Sequence, residues 1–144
     1  MSKINIVRIE HIDPSLISPI NRLLRQLSSR EILFTEQTLR QIIECPASHL
    51  FVMYDDEAIV GMITLALYHA PTGCKAWVED VVIDTASRGK GLGHRLIQHA
   101  IEYARHYAPC TLYLTSNPLR TEANALYRSE NFEQRKTNVY KMDL

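Results

Sequence analysis

Trp77-Val78-Glu79-Asp80-Val81-Val82-Ile83-Asp84, then Arg88-Gly89-Lys90-Gly91-Leu92-Gly93, then Leu96-Ile97: a strand-like run enters a glycine turn and leaves as an amphipathic helix. Glycines at the alternate positions 89, 91 and 93 strip side chains from the turn. Backbone N–H groups can then converge on an anion where the helix begins. A helix N-terminus carries about half a positive charge, which suits a phosphate or pyrophosphate. The plainer alternative is a strand-to-helix turn whose glycines serve tightness alone. Two common nucleotide loops fit poorly. A triphosphate loop needs Gly-Lys followed by Ser or Thr, whereas Lys90 precedes Gly91 and Leu92. The dinucleotide fingerprint, counted from Gly89 and Gly91, needs a third glycine where His94 stands.

Composition narrows the class. The chain has 144 residues, the size of one domain, and its 46% hydrophobic and 22% charged residues are ordinary for a globular protein. Sixteen basic against sixteen acidic residues leave no net charge, which argues against a nucleic-acid partner. No apolar run approaches the ~18 residues of a membrane span, and Met1-Ser2-Lys3-Ile4-Asn5 lacks a signal-peptide core. A cytoplasmic protein without membrane contact is the expectation. Cys45, Cys74 and Cys110 are odd in number, widely separated and without metal-type spacing. Buried or inert thiols in a reducing cytoplasm, with no metal or disulfide role, are expected.

Outward from the glycine turn, apolar spacing sets the element order. Ile4, Ile6 and Ile9 mark a short strand, and Pro14 or Pro19 opens a helix carrying Ile20, Leu23, Leu24 and Leu27. Residues Ser28 to Phe34 are too mixed to assign. Thr35 caps a second helix ending near Pro46. His49 to Tyr54 and Ala58 to Tyr68 form an antiparallel pair around Asp55-Asp56-Glu57, and Pro71-Thr72-Gly73 makes the next reversal into the strand Lys75 to Asp84. Leu92, Leu96, Ala100 and Tyr103 line one side of the long helix, with Ile97 and Ile101 beside them. A strand over Thr111 to Thr115, a helix over Arg120 to Glu130 and a last strand over Asn138 to Met142 complete the order. The expected fold is α/β (α+β): one domain over residues 1–144, with a mixed sheet of about six to seven strands and about four helices on its two faces.

Arg-x-x-Gly-x-Gly after a strand, here Arg88, Gly91 and Gly93, resembles the acetyl-CoA loop of the GNAT superfamily of N-acetyltransferases. A second signature is similar: Thr115-Ser116-Asn117-Pro118-Leu119-Arg120-Thr121-Glu122-Ala123-Asn124-Ala125-Leu126-Tyr127, then Asn131-Phe132. The resemblance covers residues 48 to 143, and the first 47 match in layout alone. Asn131 stands where the family usually has Gly; Asn also tolerates positive φ, so the helix can still stop there. The string Glu79-Asp80-Val81-Val82 further resembles glucosamine-6-phosphate N-acetyltransferases, although their substrate-phosphate residues have no locatable counterpart.

The resemblance implies acetyl-CoA as co-substrate. The backbone of Val81, Val82 and Ile83 would face its pantetheine arm, and the turn Arg88, Gly89, Lys90, Gly91, Leu92, Gly93 and His94 would hold its pyrophosphate. Arg120, Ala123, Asn124 and Tyr127 fall at i, i+3, i+4 and i+7 on one helical face. That face would set Asn124 beside the cofactor arm and Tyr127 at the sulfur as general acid, a phenol of pKa near 10 being protonated at neutral pH. Arg120 takes a place where many relatives have Asn; it is read either as a cofactor or acceptor contact or as a solvated arginine. Strand alternation puts 79, 81 and 83 on one face and 78, 80 and 82 on the other. Glu79 is the candidate base, through a water, and Asp80 its rival. Of the histidines, His94, His99 and His106 are expected to face outward from the long helix, and His69 lies in a loop. The reading is transfer of an acetyl group to a primary amine of a small molecule by direct attack in a ternary complex. A protein amine as acceptor and a non-catalytic acyl-CoA sensor are the alternatives. The oligomeric state is open, a homodimer being the commonest outcome for such enzymes.

Overall fold

The computed structural model describes residues 2–144. Strand β1 (Ile4–Arg8) leads through a 3-10 turn at Pro14–Leu16 into helix α1 (Ile17–Leu27), followed by α2 (Glu36–Glu44). Strands β2 (Ser48–Asp55), β3 (Ala58–Ala70) and β4 (Gly73–Ile83) come next, then α3 (Leu92–Arg105), β5 (Cys110–Tyr113) and α4 (Thr121–Ser129). Both prolines open α1: Pro14 starts the 3-10 turn and Pro19 sits in the first α-helical turn, where a missing N–H costs nothing. The Thr35 side chain accepts from Thr38 N–H, capping α2. Among the described residues no helix is long and apolar enough to cross a membrane.

The strands form one sheet in the order β1-β2-β3-β4-β5, antiparallel except for the parallel pair β4–β5. The expected six to seven strands are therefore five. Residues 138–142 carry no strand, and Val139, Tyr140 and Met142 are exposed. Alternating apolar residues become a strand only by pairing, and no strand of this sheet pairs with them.

The sheet separates two cores. Leu96, Ile97 and Ala100 of α3 pack on Phe51, Ile63, Leu65 and Val78. On the other face Ile20, Leu23 and Leu24 of α1 and Leu39 of α2 meet Leu50, Val52, Met62 and Val82. His99 is not outward: its ring packs edge-on against Phe51, with centroids 4.8 Å apart. His69 belongs to β3, where it pairs with Cys74 of β4.

Gly61 lies where β3 and the end of β4 come closest. A Cβ there would stand 2.7 Å from Ile83 Cδ1 and 3.0 Å from the Val82 carbonyl oxygen. Backbone cannot yield as a flexible side chain can. Gly61→Ala is expected to lower stability by about 1–3 kcal/mol in denaturant unfolding; an unchanged midpoint would show that the two strands have slack.

Candidate active site

β4 does not alternate throughout. Met62 pairs with Val82 and Thr64 with Glu79, so Asp80 and Val81 together oppose Ile63. This is a β-bulge, and Asp80 adopts a φ of 51°, a conformation that Asp tolerates better than most residues. The extra residue reverses the facing of the rest of the strand. Ala76 and Val78 belong to the α3 core and, past the bulge, Val81 and Ile83 pack against that same core, while Val82 turns to the α1–α2 core. The expected grouping of 79 with 81 and 83 is thus corrected. Glu79 lies on the face opposite to them.

The parallel pair is short. β4 and β5 share rungs from Cys74↔Cys110 to Trp77↔Tyr113, where the two rings stack with centroids 4.8 Å apart. Beyond that rung β4 continues to Ile83, paired with β3 alone. A cavity of about 460 Å³ opens there, with Val78, Glu79, Asp80 and Val81 along one wall and Leu114 and Thr115 along the other. Tyr127 reaches the same cavity from α4, and Arg120 lines it at the start of that helix.

Burial raises the pKa values of the groups around this cavity. Desolvation pushes Glu79 upward, helped by the charge of Asp80, and desolvation alone raises Asp80. Each keeps some surface open to water, so both carboxylates remain reachable from the cavity. Tyr127 is only 7% exposed; burial raises its phenol above the ordinary value, against a smaller lowering by Arg120. Its ring is held edge-on by Phe132, whose N–H donates to the Tyr127 carbonyl at 3.0 Å. Asn131 lets the chain turn there with a φ of 69°.

The glycine turn is built by two glycines. Gly89 and Gly91 take φ of 79° and 74°, with open space where a Cβ would stand. Gly91 caps α3 and has no side chain to occupy its first N–H groups. The first intrahelical bond nearby runs from Arg95 N–H to Gly91 O, so the N–H groups of Leu92, Gly93 and His94 lie ahead of it. Gly93 has no positive φ, and a Cβ on it would make an ordinary contact, 3.4 Å from Leu126 Cδ2 of α4. Arg88 donates from Nε to the Ile83 carbonyl at 3.1 Å, which ties the turn to the strand end. The His94 ring turns to Glu130, Nδ1 to Oε1 at 3.0 Å, leaving its backbone N–H to the helix start. A helix start with free N–H groups, flanked by Arg88 and Lys90, fits a pyrophosphate.

Asn124 has a narrower task than its helical position suggests. Its Nδ2 donates to the carbonyls of Asn117 and Arg120 at 2.9 and 2.8 Å, fastening the chain that leads into α4. Only its Oδ1 is left to accept from a ligand.

Three residues of α1, legible in sequence only as the polar face of a helix, set the other side. Asn21 accepts from Phe34 N–H and donates to Phe34 O, both at 2.8 Å, and so holds one end of the segment 28–34. That segment supplies Ser28, Arg30, Ile32, Leu33 and Phe34 to the cavity wall. Arg22 donates to Ile59 O and pairs with Asp84 at 3.3 Å, while Gln26 accepts from Thr85 N–H at 2.9 Å. The strand end and the turn after it are thereby clamped to α1.

The chain is thus an α/β protein with a parted parallel pair, a bulge bearing carboxylates and an uncapped helix start on one sheet. The Acetyltransferase (GNAT) family matches residues 20–132, and the chain belongs to that family. Among curated proteins, glucosamine 6-phosphate N-acetyltransferase 1 of Oryza sativa subsp. japonica is 34% identical over 109 residues, 65% of this chain and 65% of that protein. The match therefore spans just under two thirds of that relative's length. Among solved structures, an Agrobacterium tumefaciens protein assigned as an acetyltransferase superposes with a TM-score of 0.84 at 24% identity, over 96% of this chain and 99% of that one. An aminoglycoside acetyltransferase from an uncultured soil metagenomic sample, in complex with sisomicin, gives 0.81 at 18% identity, over 98% and 97%. At these identities the two structures are evidence of the fold alone.

Asp84 offers a test of the clamp. The Ala86 N–H, then Gln26 and Arg22, hold its carboxyl below the ordinary 3.8 despite some desolvation. A depressed folded-state pKa stabilises the protein above the unfolded value, and that contribution is lost as pH falls through the folded one. Asp84→Asn should flatten the acid limb of stability against pH below about 4. Equal acid limbs in variant and parent would show that Asp84 is not a linkage site.

Proposed function

We propose that this chain, as one domain over residues 1–144, transfers the acetyl group of acetyl-CoA to a primary amine of a small molecule by direct attack in a ternary complex. The observation that carries the proposal is one cavity, at the parting of β4 from β5, lined by Glu79, Asp80 and Tyr127. Acetyl-CoA supplies an activated thioester carbonyl. The chain's own residues do the rest. The N–H groups of Leu92, Gly93 and His94, with Arg88 and Lys90, hold the pyrophosphate, and Gly89 and Gly91 keep side chains out of its way. The unpaired edge of Val81, Val82 and Ile83 offers backbone groups to the pantetheine amides, and Asn124 Oδ1 accepts from one of them. A backbone N–H on that edge stabilises developing charge on the carbonyl oxygen, an interaction worth a few kcal/mol.

Glu79 takes a proton from the acceptor's ammonium through a water, and Asp80 holds that ammonium in place. Raised by partial desolvation and by the charge of Asp80, Glu79 is a stronger base than an ordinary glutamate. Tyr127 Oη keeps its proton at neutral pH because burial raises it, and delivers that proton to the departing sulfur. No cysteine lines this cavity, which favours direct attack over an acetyl-enzyme. The walls supplied by residues 28–34 favour a small acceptor over a peptide. The named activity of the rice relative, on an amino sugar phosphate, supports the same class. Coenzyme A release across amino sugars, aminoglycosides, polyamines and peptides tests the proposal directly. Release with peptides alone would overturn the small-molecule acceptor, and acetyl-CoA binding without release on any amine would leave a sensor.

Tyr127→Phe should cut kcat by about a hundredfold while KM for acetyl-CoA stays within a few-fold; an unchanged kcat would remove the acid role. The rate should climb with pH as Glu79 loses its proton, on a limb set above the ordinary glutamate value by burial and by Asp80. In Glu79→Gln that limb should vanish and the maximal rate fall. A variant profile that overlays the parent's would leave Glu79 with a structural role only.

A further inference from the structure

The sequence suggests three isolated thiols, but the sheet joins two of them. Cys74 and Cys110 are register partners on the parallel strands β4 and β5. Both pack against the α3 core, so their side chains leave the sheet on one face. Their Sγ atoms lie 3.1 Å apart, although 36 positions separate the residues along the chain. Neighbouring strands run about 4.8 Å apart, within the span of about 4.4–6.8 Å that a disulfide allows between Cα atoms. Neither sulfur is sealed. Both residues are partly exposed, and a hollow of about 410 Å³, lined also by Thr72, Pro109 and Thr111, opens beside them.

We propose that Cys74 and Cys110 form a dithiol redox site, which low-molecular-weight disulfides of the glutathione class close into an intramolecular disulfide. Cys74, as thiolate, attacks one sulfur of the small disulfide, forming a mixed disulfide and expelling one small thiolate. The Cys110 sulfur then attacks the Cys74 sulfur and expels the second. The two cysteines give up two protons and two electrons, and the small disulfide takes them up as two thiols. Burial and the adjacent Cys74 sulfur push Cys110 up to about 11, which disfavours its thiolate. The new bond lies three register positions before the Trp77–Tyr113 rung. It fastens the two strands ahead of the parting and leaves the cavity beyond it open. By restricting the unfolded chain, it also stabilises the fold.

The test is incubation of the full chain with glutathione disulfide, followed by alkylation of free thiols and peptide mapping. The expected product has lost the mass of two hydrogens, links the Cys74 peptide to the Cys110 peptide, and melts about 5–10 °C higher until dithiothreitol reverses it. Cys45→Ser should behave as the parent does. Cys74→Ser and Cys110→Ser should lose closure, and Cys110→Ser should retain a glutathione adduct on Cys74. A stable adduct on Cys74 in the parent chain, or alkylation of both cysteines after oxidation, would overturn the proposal without needing any variant to fold.

Discussion

Trp77 stacks on Tyr113 across the last rung that β4 and β5 share, and the residues with chemistry lie beyond it. A parallel pair joined along its whole length would spend every N–H and C=O of β4 on its neighbours. Here the ladder stops after four rungs, so one edge of β4 from Val78 to Val81 faces a cavity. The bulge at Asp80 acts together with this parting. It places two carboxylates side by side at the gap and returns Val81 and Ile83 to the α3 core, so the strand stays anchored while its polar residues remain accessible.

Unpaired groups in a half-buried cleft are costly unless something offsets them, and the surrounding chain supplies the rigidity that keeps them in place. α1 holds the far end of β4 through Arg22 and Gln26, and the chain entering α4 is fastened through Asn124. Glu79, Asp80 and Tyr127 all have pKa values raised chiefly by desolvation. The same crowding thus strengthens two carboxylates as bases and keeps a phenol protonated. Those are the opposite protonation states that acyl transfer to an ammonium requires.

Element order was largely legible in the sequence because each element carries a local signature. Thr35 as a cap and Asn131 as a helix stop depend on a few neighbouring residues, and both stand as expected. Expectations that depended on distant partners fared less well. Strand alternation fails at Asp80 because a bulge is a property of two strands, and the spacing along β4 alone holds no trace of β3. His99 packs edge-on against Phe51 of another element, and the 138–142 segment pairs with no strand of the sheet. Asn21, Arg22 and Gln26 looked like any polar face of an amphipathic helix, since their partners sit 13 to 62 positions away.

By itself the sequence determined the family, the glycine turn ahead of the long helix and the chemical types at the site. These rest on short-range patterns: residue spacing, conformational tolerance of glycine, and side-chain acidity. Only the tertiary structure decided which face Glu79 shares, that Asn124 spends its amide on the backbone, and that Cys74 meets Cys110. Each is a matter of register between strands or of a side chain meeting the backbone. Such contacts close over long loops, and a linear pattern carries no measure of where those loops return.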